Sequence, residues 1–268
     1  TCALPISKTV GILPLISSLK DGSVELEDFF GNYARIEAVR KQLIRSMNVL
    51  FDKAKRGGSM IITGGPKTGK TTLTKKIAKT LNKFGVTSSK KALIASAEKL
   101  NTVSLSTQQD KLVGCAVIVE HAENLSKDTV RDIIDFSAKH AEDSLVFLEG
   151  DRVGINELMR VYPEIGSTFN NRIHLPSEYG LDELKGFIYE YFVSNEYELE
   201  KTADNRLEEK LEKIMSMKPE SPIDAAMAIA KSAVESAEAR NAEVLAQMMR
   251  NGKIENADIM TIKAEDIK

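Results

Sequence analysis

Gly64-Gly65-Pro66-Lys67-Thr68-Gly69-Lys70-Thr71 is a complete G-x-x-x-x-G-K-T sequence. Before it stands the β-type run Met60-Ile61-Ile62. After it, from Thr71 to Phe84, Leu73, Ile77, Leu81 and Phe84 recur at helical spacing. The order strand, loop, amphipathic helix is the context that a phosphate-binding loop needs. The glycines let backbone N–H groups turn inward around phosphate oxygens, and the helix N-terminus adds the positive end of its dipole. Lys70 is the point charge for β/γ-phosphates, Thr71 the hydroxyl for Mg²⁺, and Thr72 the next residue along the cradle. A glycine-rich turn on a lysine-rich surface would share the composition, but not the full spacing between these two flanks.

Composition bounds the rest. A chain of 268 residues is long for one compact domain and suits a core with a smaller satellite. With 28% charged and 42% hydrophobic residues and a formal net charge of -2, it reads as an ordinary soluble globular protein. No strongly basic field argues for a nucleic-acid partner. The apolar runs fall short of the ~20 residues of a membrane span, and Trp is absent, so no membrane partner is expected. Cys2 and Cys115 are too few for a disulfide framework, and Cys115 lies in a strand-like run that suits a buried thiol. A reducing cytoplasm fits. The three histidines have no Cys or carboxylate partner at ligand spacing, so no zinc site is expected.

Three segments are expected. Residues 1–28 mix the run Val10 to Ile16 with Asp21-Gly22-Ser23 and read as a linker or the end of an upstream region. The first six, Thr-Cys-Ala-Leu-Pro-Ile, match an in-frame translation of a sequencing-adaptor sequence, which implies a natural chain continuing upstream; the alternative is a genuine apolar N-terminal segment. Residues 29–178 form the α/β core. There Phe29 to Asn32 opens a helix with Ile36, Val39, Leu43, Met47 and Leu50 on one face, ending in the basic stretch Lys53 to Gly58. Strands follow at Ala92–Ala95, Cys115–Val119 and Leu145–Leu148, with a polar loop to Gln109 and a helix from Lys127 to His140. Alternating strands and helices predict a parallel sheet covered by helices on both faces. Residues 179–268 lack β-type runs and predict a small all-α lid: Leu181–Val193, Arg206–Met217 and Ile223–Arg250.

A P-loop core followed at once by a small helical domain resembles the AAA+ ATPases. Gly31-Asn32 followed by Ala38, Val39 and Lys41 looks like the adenine-side segment of the branch of CbxX and stage V sporulation protein K. Tyr162-Pro163-Glu164 leading to Asn171-Arg172-Ile173 looks like that branch's Asn-Pro-Gly to Ser-Arg-Phe segment, and Asn195 to Leu199 like the stretch after its first lid helix. The resemblance spans residues ~29 to 245. It implies ATP and Mg²⁺ as cofactors, with Gly31 and Asn32 joining the loop in nucleotide binding. It also implies an oligomeric ring, of one or several kinds of chain, or an upstream AAA+ domain in the same chain. Arg172 is implied as a finger reaching a neighbour's nucleotide, its plainer reading being a surface Arg ahead of a strand.

The departures from the family pattern are as informative. Where the family places Asp-Glu after its third strand, this chain has Glu120-His121. Glu120 can still reach a metal-bound water, so it stands as a metal and catalytic candidate. His121 brings no fixed negative charge to the position of the general base, a loss that commonly costs ~10²–10⁴ in rate. It is equally readable as a loop histidine with no chemistry. Glu123 is a substitute base only if it turns inward, and its place at the start of the next loop predicts that it faces away. The stretch Asn101 to Gln109 has no aromatic residue to grip a polypeptide, and Ile223 to Ala228 has no Arg for a γ-phosphate. The expected function is an ATP-binding module with weak or absent hydrolysis, serving as a structural or regulatory unit; the alternative is an active ATPase that remodels a protein partner.

Overall fold

A computed structural model describes residues 26–52, 60–103, 105–251 and 259–268. The expectations for residues 1–25, including Val10 to Ile16 and Asp21 to Ser23, and those for Lys53 to Gly58, lie outside the described residues. The described chain falls into two compact units that divide between Ser177 and Glu178.

The first unit is built on one parallel sheet. β1 (Met60–Thr63), β2 (Ala92–Ser96), β3 (Ala116–Glu120), β4 (Leu145–Gly150) and β5 (Arg172–His174) lie in the order β2-β3-β4-β1-β5. Period-two alternation gives the sheet two buried faces. Ile61, Val117, Val119, Val146 and Leu148 share a core with Val130, Ile133 and Phe136 of α3 (Lys127–Lys139) and Ile155 and Leu158 of α4 (Arg152–Val161). Met60, Ile62, Ile118 and Phe147 are fully buried on the opposite face. There α2 (Lys70–Lys83) covers β1, β3 and β4, and α1 (Glu37–Phe51) covers β5. The parallel sheet with helices on both faces is therefore present as expected. Because β1 sits beside β4, with β3 next along, the loop leaving β1 opens beside the C-terminal ends of both, where ligands of such sheets bind.

Some boundaries differ from the sequence expectation, for local reasons. Phe29 to Asn32 does not open α1. A one-turn helix, Glu27–Phe30, and a 3-10 turn, Gly31–Ala34, precede it, because the Gly31 backbone leaves the helical region at φ 59 and ψ -143. The polar loop to Gln109 contains the short helices Ala97–Leu100 and Gln109–Leu112; the Ser96 side chain caps the first by accepting from Lys99 N.

The second unit is helical: α5 (Leu181–Ser194), α6 (Lys201–Ser216) and α7 (Pro222–Asn251). α6 starts earlier than Arg206 because its first buried position is Ala203, too weakly apolar to mark a helix face by itself, followed by Leu207 and Leu211. The unit is not purely α. The two-residue strands β6 (Glu198–Leu199) and β7 (Thr261–Ile262) pair in parallel. β7 ends the short apolar run Ile259-Met260-Thr261-Ile262, a β-type signal that the sequence reading passed over. Arg240 on α7 ties the chain end down: Nη2 donates to Asp266 Oδ2 at 2.9 Å and to the Thr261 carbonyl at 2.8 Å. No helix among the described residues is long and apolar enough to cross a membrane.

Asp266 is 2% exposed, so removing its guanidinium partner leaves a buried carboxylate short of compensation. Arg240→Ala is expected to cost on the order of 3 kcal/mol in urea unfolding. Glu265→Ala, whose carboxylate is 66% exposed and 3.6 Å from Arg240, should change stability by less than about 1 kcal/mol.

Candidate nucleotide site

The loop from Gly64 to Gly69 leaves β1 and enters α2 through Gly69, whose φ of 85 is left-handed; Lys67 is also left-handed, at φ 54. Such left-handed residues among right-handed ones turn successive backbone N–H groups to one side, the geometry of an anion-binding concavity. Thr68 braces the turn by donating from Oγ1 to the Gly65 carbonyl at 2.9 Å. Lys70 Nζ lies across the loop and donates to the carbonyls of Gly64 (3.1 Å) and Gly65 (2.7 Å). Pro66, Lys67 and Thr72 are exposed. A tetrahedral anion fits a concavity of this kind, with the ammonium beside it.

The 3-10 turn Gly31–Ala34 meets this loop. Asn32 is buried, and Tyr33, 2% exposed, donates from its hydroxyl to the Gly69 carbonyl at 3.1 Å. The segment expected on the adenine side thus touches the phosphate loop through Tyr33, a link the sequence did not indicate.

Carboxylates crowd the strand ends. Glu120 closes β3 and Glu149 lies one residue from the end of β4, one step beyond the paired Val119 and Leu148 and on the face covered by α2. Thr71 Oγ1 donates to Glu149 Oε2 at 2.6 Å and lies 3.3 Å from Glu120 Oε1; Thr74 Oγ1 bonds Glu149 Oε1. Glu149 is 1% exposed. Burial pushes its carboxyl above the ordinary range, the bonds from Thr71 and Thr74 pull it back, and Glu120 adds to the rise. Burial likewise lowers the Lys70 ammonium, against the opposing charges of Glu149, Glu123 and Asp151. Hydroxyl and carboxylate oxygens suit a hard divalent cation such as Mg²⁺.

His121 takes a left-handed conformation, φ 54 and ψ 42, and its side chain is 67% exposed. Its Nδ1 lies 3.6 Å from Glu123 Oε1. Glu123 does not face away as its position predicted. Its side chain is 16% exposed, and Oε2 is buried without a hydrogen-bond partner among the described residues. Gly150 and Gly154 make room for it: a Cβ on Gly150 would collide with Oε2, and one on Gly154 would stand 2.7 Å from the Glu123 Cβ. The left-handed turn at His121 is the reason, since it swings the 3-10 turn Ala122–Asn124 back over the end of β4. Arg172 opens β5 opposite Ile61, at the end of the strand away from the loop. Its guanidinium donates to the carbonyls of Gly166 (3.1 Å) and Phe169 (3.3 Å). The site therefore gathers Lys70, Thr71, Glu120, Glu123 and Glu149, leaves His121 at its surface, and does not include Arg172. Sequence reading missed Glu149; the available signal was a charged residue ending the otherwise apolar run Leu145 to Leu148.

Gly69 is the most constrained position. A Cβ there would collide with the Tyr33 hydroxyl, and the left-handed backbone costs a further ~1–2 kcal/mol for any L side chain. Gly69→Ala is expected to destabilise strongly, and Tyr33→Phe to recover part of that loss in the double variant. Denaturant unfolding of all four proteins measures the coupling; additive effects would remove the Tyr33 contact from the account.

No family model matches the chain. Over 227 residues it is 24% identical to the chloroplastic cbbX homolog protein of Guillardia theta, covering 77% of this chain and 60% of that protein. It is 27% identical over 192 residues to the ESX-1 secretion system protein EccA1 of Mycolicibacterium smegmatis, covering 65% of this chain and 33% of that protein. The chain thus spans three-fifths or less of the length of these relatives. Among solved structures, a mutant form of RuvB from Thermotoga maritima superposes with a TM-score of 0.54 at 15% identity, covering 90% of this chain and 70% of that one.

Proposed function

We propose that the chain is an ATP-binding module of the AAA+ ATPase superfamily, on its CbxX-like side, with weak or absent hydrolysis, and that it serves as a structural or regulatory unit of an oligomeric or tandem ATPase; the likeness to the cbbX homolog and EccA1 proteins supports this reading. The loop from Gly64 to Thr72 takes the polyphosphate, Lys70 its β/γ end, and Thr71 with Glu120 the Mg²⁺ ion. Gly31 and Asn32 contribute on the adenine side. When bound, Mg²⁺ supplies charge neutralisation for the terminal phosphates; the chain's own residues hold and orient the nucleotide.

One observation carries the reading on hydrolysis. The residue at the position of the family's general base is His121, and its side chain points to solvent. A neutral or cationic imidazole outside the site neither orients a water molecule nor accepts its proton, so the expected rate is ~10²–10⁴ below that of a competent relative. A slow site keeps ATP in place, and bound ATP adds to the stability of the folded and assembled state by mass action. The stretch Asn101 to Gln109, without an aromatic residue, and the lid segment Ile223 to Ala228, without Arg, support a holding rather than a threading role. Arg172, pinned by two carbonyls and remote from this chain's own loop, is suited to act on a neighbour's nucleotide, where such a finger is worth ~10³–10⁵ in rate. A nucleic-acid partner and a membrane partner are not part of the proposal.

Glu123 favours a second reading, an active ATPase remodelling a protein partner. Its carboxylate lies among the groups facing Lys70 and has one oxygen unused. The two readings separate on one set of proteins. ATP affinity with Mg²⁺ and phosphate release are measured together for the unaltered chain, Lys70→Ala, His121→Glu and Glu123→Gln. The holding role predicts micromolar or tighter binding lost in Lys70→Ala, with little release that rises at least tenfold in His121→Glu. Brisk release abolished by Glu123→Gln would make Glu123 the base and the chain a working ATPase. For Arg172→Ala, the expected result is unchanged nucleotide binding by this chain and reduced turnover by a competent partner chain mixed with it.

A further inference from the structure

The Thr71 hydroxyl has one proton and two carboxylates within reach. Glu149 Oε2 is at 2.6 Å and Glu120 Oε1 at 3.3 Å, so the proton goes to Glu149. Glu149 is also the better fixed of the two. It is 1% exposed, lies under the first turn of α2, and is held on its other oxygen by Thr74, itself fully buried. Glu120, at the end of β3, is only half buried. The sequence pattern assigns the acidic partner of Thr71 to β3, yet the chain's geometry assigns it to β4.

Two physical consequences follow. A hydroxyl whose proton is committed to a rigid carboxylate presents its lone pairs away from that carboxylate, and an oxygen so oriented is preset to ligate a hard cation. In addition, Glu120 and Glu149 place two like charges on neighbouring strands beneath the loop that receives the polyphosphate, a repulsion felt strongly in a partly buried site. A divalent cation relieves both. We infer that Glu149 is the positioning residue of a divalent-cation site on the Thr71 hydroxyl, and that it makes nucleotide binding by this chain strongly dependent on that cation. The inference rests on the nucleotide-binding reading given above. It adds a residue on β4 to the cation's support and a dependence that a single β3 carboxylate would impose more weakly.

The test is a binding measurement. A fluorescent ADP is titrated at free Mg²⁺ from zero, in EDTA, to several millimolar, with the unaltered chain, Glu149→Gln and Thr74→Val. The isosteric amide of Glu149→Gln removes the charge that fixes the proton. Its Mg²⁺ requirement for half-maximal enhancement should rise at least tenfold, while affinity in EDTA stays equal or improves because one repelling charge is gone. Thr74→Val loosens Glu149 but leaves its charge beside Thr71, so the Mg²⁺ requirement should rise in the same direction and by less than in Glu149→Gln. A merely structural Glu149 would weaken binding equally with and without Mg²⁺, and that result overturns the inference, as does an unchanged Mg²⁺ requirement. If Glu149→Gln does not fold, Glu149→Asp carries the test. Its charge remains but retreats by one methylene from Thr71, so the Mg²⁺ requirement should again rise, and no rise overturns the inference. An unaltered chain that binds no nucleotide in any condition fails the nucleotide reading itself, which separates the two failures.

Discussion

A carboxylate 1% exposed at the end of a central strand is an expensive group to bury, and the way Glu149 is satisfied organises the site around it. Both of its oxygens are met by hydroxyls from the first turns of α2, Thr71 and Thr74, three residues apart in the helix and so on one face. That pairing sets the azimuth of α2 over β4. With α2 fixed, Gly69 must enter it in a left-handed conformation, Tyr33 closes on the Gly69 carbonyl, and Lys70 lies across the loop. Loop, helix and strand end are thus one hydrogen-bonded unit, joined to the turn Gly31–Ala34 through the Tyr33 phenol.

On the proposed reading, the same crowding of carboxylates separates holding a nucleotide from cleaving it. Glu120 and Glu149 address the cation side, through Thr71. Glu123 and Asp151 face Lys70, and Asp151 is committed to capping α4, where its Oδ1 accepts from Val153 N and Gly154 N at 2.8 Å each. Of these groups Glu123 alone has a buried oxygen without a hydrogen-bond partner among the described residues. His121, which holds the position of a base in the family pattern, is instead a surface residue that pairs loosely with Glu123. On the proposed reading, a chain so arranged holds a nucleotide with the help of a cation and does not activate water.

Much of the fold was legible because its signals are local. The runs at Met60 to Ile62, Cys115 to Val119 and Leu145 to Leu148 mark buried strands, as continuous β-branched or apolar runs do directly, and the run at Ala92 to Ala95 marks an edge strand with no buried residue. The loop was legible because its spacing and flanks carry a mechanism. The site's acidic side was not. Glu149 ended an apolar run and offered no motif; its meaning comes from a register that aligns it with Glu120 across two parallel strands, which only the folded sheet sets. Glu123 was misread for a related reason. The left-handed turn at His121 reverses the chain, and no glycine or asparagine announced it.

The most direct measurement is the structure of the chain crystallised with a non-hydrolysable ATP analogue and Mn²⁺, with the metal located by its anomalous signal. The account predicts one metal peak in the loop, bound to Thr71 Oγ1 at about 2.1–2.2 Å, with Glu149 still accepting the Thr71 proton from behind. A metal held by the phosphates alone, or a Thr71 hydroxyl turned away from Glu149 toward Glu120, would contradict it.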